Sequence, residues 1–145
     1  MSNNKIVPPS EFIHTASYTV AISDINYGGH VGNDKVLTIM QEARMQFFQH
    51  HGYKDEVSIE NNVGIIVTNA AITYKSETFY RDELVIKIAI ENISKVGFDM
   101  LYVIENHTSG KITALGKTGI VCFDYEQKKI ASIPTKFLQI IKQGN

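Results

Sequence analysis

The sequence predicts an α+β domain: a long antiparallel sheet laid against one long, buried helix. Three features point to it. A single broad apolar stripe with helical spacing runs from Val36 to Phe48. Everything after Val63 is β-branched or alternates with a period of two. The short links at Ser94–Gly97 and Thr108–Gly110 contain glycine and suit hairpin turns. At 145 residues the chain fits one domain, residues 1–145. A domain of that length buries roughly 68–70 % of its unfolded surface and needs no disulfide or metal staple.

Residues 1–13 are polar, carry Pro8-Pro9 and read as a loose leader. From His14 to Ile22, Tyr18, Val20 and Ile22 share one face, while Thr15, Ser17, Thr19 and Ala21 share the other. That is the pattern of a half-buried strand. The stretch from Ser23 to Asn33, with Gly28, Gly29 and Gly32 among small polar residues, marks an irregular loop. Asn33 or Asp34 then caps a helix by accepting hydrogen bonds from unpaired first-turn N–H groups. Val36, Met40, Ala43 and Phe47 form its stripe, and Leu37, Ile39 and Phe48 widen it. So broad a stripe implies a helix mostly enclosed by other structure. His50, His51 and Gly52 supply a cationic last turn and a C-terminal glycine.

Gly64 to Tyr74 is β-branched and apolar. Leu84, Ile86, Ile88 and Ile90 alternate with Val85, Lys87, Ala89 and Glu91, the clearest period of two in the chain. Phe98, Met100, Tyr102 and Ile104 repeat it, and Lys111 to Tyr125 gives another long strand. Pro134 opens a short amphipathic tail with Phe137, Leu138, Ile140 and Ile141 as its apolar residues. Such a sheet keeps a second face and edges to cover, which points to oligomerisation.

Composition narrows the function classes. Hydrophobic residues make up 43 % and charged residues 20 % of the chain, as in an ordinary soluble globule. The formal net charge of -1, with both signs scattered, argues against nucleic acid as a partner. One cysteine, Cys122, cannot form an internal disulfide and suits a reducing cytoplasm. No secretory signal core and no membrane-length apolar run is evident, so the expected location is cytoplasmic and no membrane partner is expected. Gly116-Lys117-Thr118 imitates the end of a phosphate loop, but the earlier glycine it requires falls on Lys111. His50 and His51 are adjacent on a helix and make a poor metal pair, so no metal site is expected.

Ser23-Asp24-Ile25-Asn26-Tyr27-Gly28-Gly29-His30-Val31-Gly32-Asn33, followed by Gln41-Glu42-Ala43-Arg44-Met45-Gln46-Phe47-Phe48, resembles the hotdog thioesterases related to 4-hydroxybenzoyl-CoA thioesterase. Those proteins carry an aspartate, a short glycine-containing turn, often a His-Val-Asn-Asn segment, and a helix with a Glu-Ala-Arg signature. The resemblance continues through the stretch from Ile72 to Leu84, from Gly110 to Phe123 and at Ile133-Pro134. It implies the hotdog fold, a sheet wrapped around one central helix, and hydrolysis of acyl-CoA or acyl-carrier-protein thioesters. It also implies a homodimer or homotetramer with the site at a subunit interface, and no cofactor beyond the coenzyme A of the substrate.

In that family the thioester sits near the N-terminus of the buried helix, where a turn glycine N–H polarises the carbonyl and the helix dipole supports the oxyanion. The resemblance places Tyr27, Gly28, Gly29 and Asn33 against the substrate, with Asp24, Asn26 and His30 as the catalytic candidates. One departure matters. The usual catalytic carboxylate stands four residues before the position of His30, and here that residue is Asn26. An amide cannot act as a general base, so activation of water passes to Asp24, His30 or a helix acid such as Glu42. Asp24 could equally cap its own loop, and His30 could simply fix the loop's shape. Lys75, Arg81 and Lys117 are cations that could meet the phosphates of coenzyme A. The alternative reading of Asn26 is a non-catalytic acyl-thioester binding protein on a silenced site.

Overall fold

The period of two becomes one antiparallel sheet in the computed structural model, which describes residues 5–143. In chain order the elements are β1 (His14–Thr19), α1 (Asn33–His50), β2 (Val63–Tyr74) and β3 (Glu83–Glu91). They are followed by β4 (Gly97–Asn106), β5 (Lys111–Asp124), β6 (Lys129–Ile130) and α2 (Thr135–Lys142). The strand order is β1-β3-β4-β5-β2, with β6 paired to β5. β1 and β2 therefore form the two edges.

The inward face is set by register. Ile86 opposes Ile104, Ile88 opposes Tyr102 and Ile90 opposes Met100, and all six are buried. Against them α1 buries Val36, Ile39, Met40, Ala43, Phe47 and Phe48. Each large side chain taken fully from water there contributes roughly 1.5–3 kcal/mol. The helix passes so close to β5 that a Cβ on Gly116 would lie 2.7 Å from Met40 Sδ. α2 closes one end: Phe137 stacks on Phe48 at 5.3 Å and meets Phe47, Tyr53 and Phe98 edge-on or tilted.

The structure departs from the sequence reading at four places. Within residues 5–13, read as a loose leader, Ile6 is buried, with Phe12 beside it, on Ala89, Leu101, Val103 and Leu115, while Lys5, Val7, Pro8, Ser10 and Glu11 are exposed. Residues 1–4 lie outside the described residues. Ile22 is exposed because the chain leaves β1 at Thr19 and tightens into a 3-10 turn at Ile22–Asp24. Leu37 is also exposed, so α1 is covered on fewer sides than its stripe suggested. Gly32, not Asn33 or Asp34, occupies the N-cap of α1, and no side chain caps that end. At the other end Gly52 has φ +88°, its N–H donates to Gln49 O and the Tyr53 N–H to Phe48 O. Those paired bonds form the Schellman stop that the terminal glycine foretold.

Candidate active site

The loop that feeds α1 is built on Asp24. Its carboxylate is buried and accepts hydrogen bonds from the Tyr18 hydroxyl and, at 2.9 Å, from the Ala21 N–H. Its own N–H donates to Ala21 O at 3.0 Å and its carbonyl accepts from the Gly32 N–H at 3.1 Å. Asp24 thus closes the 3-10 turn and ties it to the start of α1. Burial, then the hydrogen bond and charge of Asp24, push the Tyr18 phenol up to about 12.

The turn that follows is closed by Asn26. Its Oδ1 accepts the Gly28 N–H at 2.9 Å, its carbonyl accepts the Gly29 N–H at 3.0 Å, and its N–H donates to His30 O at 2.9 Å. Gly29 has φ +86°, a conformation that glycine adopts without a Cβ penalty. Both glycine N–H groups, expected to polarise a substrate carbonyl, are therefore spent inside the turn. The open donors lie one step further on. No described residue accepts from the Asn33 or Asp34 N–H, the first of the uncapped helix.

His30 turns away from this loop toward the link between β2 and β3. Its Nδ1 lies 3.1 Å from Val31 O. A carbonyl only accepts, so Nδ1 carries a hydrogen. Its Nε2 lies 3.4 Å from Glu77 Oε2. The Val31 N–H donates to Thr78 O at 2.8 Å, which joins the two segments directly. Between them opens a cleft of about 240 Å³. It is lined by His30 and Val31 of the loop, Asn33 and Val36 of α1, residues 74–78 at the end of β2 and just after it, and Thr113 of β5.

The structure thus brings His30 and Asn33 to one cleft. Asn26, Gly28 and Gly29 make the turn beside it, where a Cβ on Gly28 would sit 3.4 Å from His30 Nε2. Asp24 lies behind that turn and does not line the cleft, and Tyr27 is fully exposed outside it. Glu42 lines a different cleft with Tyr18, Thr38 and Met45. Of the three cations named for coenzyme A, only Lys75 lines the His30 cleft, whereas Lys117 pairs with Glu91 at 3.6 Å and Asp99 at 3.7 Å. Sequence reasoning missed Tyr74, Glu77, Thr78 and Thr113 because they lie in or beside generic strands with no spacing signal of their own. Among the described residues no three His, Cys, Asp or Glu side chains converge to hold a metal, and no helix is long and apolar enough to cross a membrane.

A six-stranded antiparallel sheet wrapped around one long helix is the hotdog fold, the fold of a class of thioester hydrolases. The chain belongs to the thioesterase-like superfamily, whose family model matches residues 20–141. A curated Aquifex aeolicus protein named "Putative esterase" is 25 % identical over 114 residues, covering 79 % of this chain and 86 % of that one. The solved structure of a 1,4-dihydroxy-2-naphthoyl-CoA thioesterase from Synechocystis is 21 % identical with a TM-score of 0.79, covering 92 % of this chain and 96 % of its own. A DHNA-CoA thioesterase from Staphylococcus aureus is 17 % identical with a TM-score of 0.79, covering 89 % and 88 %.

Proposed function

We propose that this protein hydrolyses acyl-CoA thioesters in the cleft at the N-terminus of α1. The observation that carries the reading is the uncapped helix end, whose Asn33 and Asp34 N–H groups have no acceptor beside a cleft with apolar walls. Charge that develops on a thioester oxygen is stabilised by such preorganised donors and by the helix dipole. Asn33 supplies the N–H, and His30 stands at the same mouth with its ring oriented by Val31 O. Asp24 shapes the loop. Coenzyme A is favoured over a carrier protein because the similar solved structures carry CoA thioesterase names and Lys75 stands at the cleft to meet a phosphate. The cytoplasm, where the acyl-CoA pool lies, is the expected setting.

A homodimer fits the same site. β2 is an edge strand whose middle, Val67 to Ala71, is exposed, and its last residue, Tyr74, lines the cleft. A second copy pairing there would cover the unpaired edge and wall the cleft.

The test is thiol release by the purified protein on short, medium, long and aromatic acyl-CoAs, with Asn26→Asp assayed in parallel. Turnover by the wild type is the expected result. Activity confined to the aspartate variant would replace hydrolysis by thioester binding. Silence from both would overturn the proposal.

A further inference from the structure

We propose that Glu77 is the catalytic carboxylate of this site, facing across the cleft the protonated ring of His30, its positioning residue, whose Nδ1–H is taken by Val31 O and whose Nε2–H then points at Glu77. The assignment rests on the hydrolase reading above. Asn26 stands where the family that this sequence resembles carries its carboxylate, and its Oδ1 already accepts the Gly28 N–H. Asp24 is buried behind the turn with its carboxylate committed to Tyr18 and Ala21, and Glu42 faces another cleft. Glu77 is the one acid lining the cleft that holds His30 and Asn33.

Its neighbours are pinned on both sides. Ser76 Oγ donates to Ile112 O at 2.7 Å, and the hydroxyls of Thr78 and Thr113 pair at 2.9 Å. The backbone of Val31 couples the two partners, since its N–H binds Thr78 O while its carbonyl orients the His30 ring. The Glu77 side chain keeps 64 % of its surface in water, so it can reach both solvent and a bound thioester.

The Glu77 carboxylate takes a proton from water as the water oxygen bonds to the thioester carbon, and the C=O pair moves onto oxygen, against the Asn33 N–H. The C=O then re-forms, the C–S bond breaks, and the Glu77 carboxyl returns the proton to the leaving thiolate. A free acid and a thiol leave, and Glu77 is again a carboxylate. His30 touches Glu77 and not the reacting carbon.

General-base help of this kind contributes about 10²–10⁴ in rate. On the best acyl-CoA of the panel, Glu77→Gln should therefore lower kcat about 100-fold or more with KM little changed. Glu77→Ala should fall similarly, and added formate should restore part of its turnover, which a merely structural role would not allow. His30→Gln should lower kcat at constant KM. Wild-type turnover with Glu77→Gln at full kcat, or with Glu77→Ala deaf to formate, would overturn the assignment and leave the hydrolase reading standing. Silence of the wild type across the panel would overturn both.

Discussion

Replacing Arg44 with methionine should be among the most destabilising single changes in this chain. Arg44 lies on the buried side of α1, where its Nε donates to Glu56 at 3.0 Å and its Nη1 to the Tyr102 hydroxyl at 3.1 Å. Tyr102 in turn bonds Thr118 at 2.8 Å. Burial works against the guanidinium's charge, yet Tyr102 and Glu56 hold its pKa above the ordinary value. Removing one partner of a buried ion pair costs roughly 3–5 kcal/mol because the other charge stays buried. Glu56 keeps 12 % side-chain exposure and a bond from Gln41 at 3.2 Å, which puts the cost near the low end. Tyr102 loses one partner but keeps Thr118, adding about 0.5–1 kcal/mol. The sum is about 3–4 kcal/mol, or about 10–15 °C in Tm for a domain of this size. Urea unfolding at pH 7, followed by circular dichroism at one fixed protein concentration, reads it directly. Glu56→Gln added to the Arg44→Met background should regain about 1–2 kcal/mol by removing the stranded charge. Arg44→Met within about 1 kcal/mol of the wild type, or no gain from the second change, would mean that no stranded charge is left on Glu56.

Asp24→Ala strips the acceptor from the Ala21 N–H and the Tyr18 hydroxyl. It should cost about 2–3 kcal/mol in thermal melts, while the milder Asp24→Asn keeps most of its kcat per folded molecule. Acid should weaken the fold through the far end of α1. Burial, then the charges of His50 and His51, lowers the pKa of His14, and burial and His50 lower that of His51. A depressed folded pKa means that the unfolded chain binds more protons below about 6.5, so this contribution is present above that pH and is lost as pH falls through it. Melts from pH 7.5 down to 5 should show that loss, and His14→Phe should flatten it. An equally steep curve in the variant would remove the histidines as its source.

Most of the fold was legible because it rests on periodicity. The alternation from Leu84 to Ile90 and from Phe98 to Ile104 mapped directly onto paired strands, and the tail's Phe137 and Ile141 reached the core as their spacing implied. What the pattern could not carry was the third dimension around it. Leu37 reads as part of the helix stripe because a stripe records apolarity, not which side the sheet leaves open. Asn33 and Asp34 read as caps by residue type, whereas the loop geometry gave that position to Gly32. The site divided in the same way. A local motif named His30 and Asn33 as candidates, and they line one cleft, but Glu77, 47 residues further along the chain, reaches His30 only because Val31 pairs with Thr78.

That pairing also explains why asparagine suits position 26. The turn needs an oxygen there to accept the Gly28 N–H, and the amide supplies one without charge. A Cβ on Gly28 would sit 3.2 Å from Asn26 Oδ1 and 3.4 Å from His30 Nε2, so Asn26 Oδ1 and the His30 nitrogen that faces Glu77 flank one glycine. An aspartate at position 26 and Glu77 would stand on the two sides of that glycine, and two nearby carboxylates disfavour each other's charged form and raise the pKa of one of them. With Glu77 in place, the amide keeps the turn's geometry and removes that repulsion. On this logic Asn26→Asp should not add its activity to that of Glu77. It should shift the acid limb of the kcat profile upward in the single variant and leave it unshifted when combined with Glu77→Gln, where only one carboxylate remains. An identical shift in both backgrounds would mean that the two positions do not share a site.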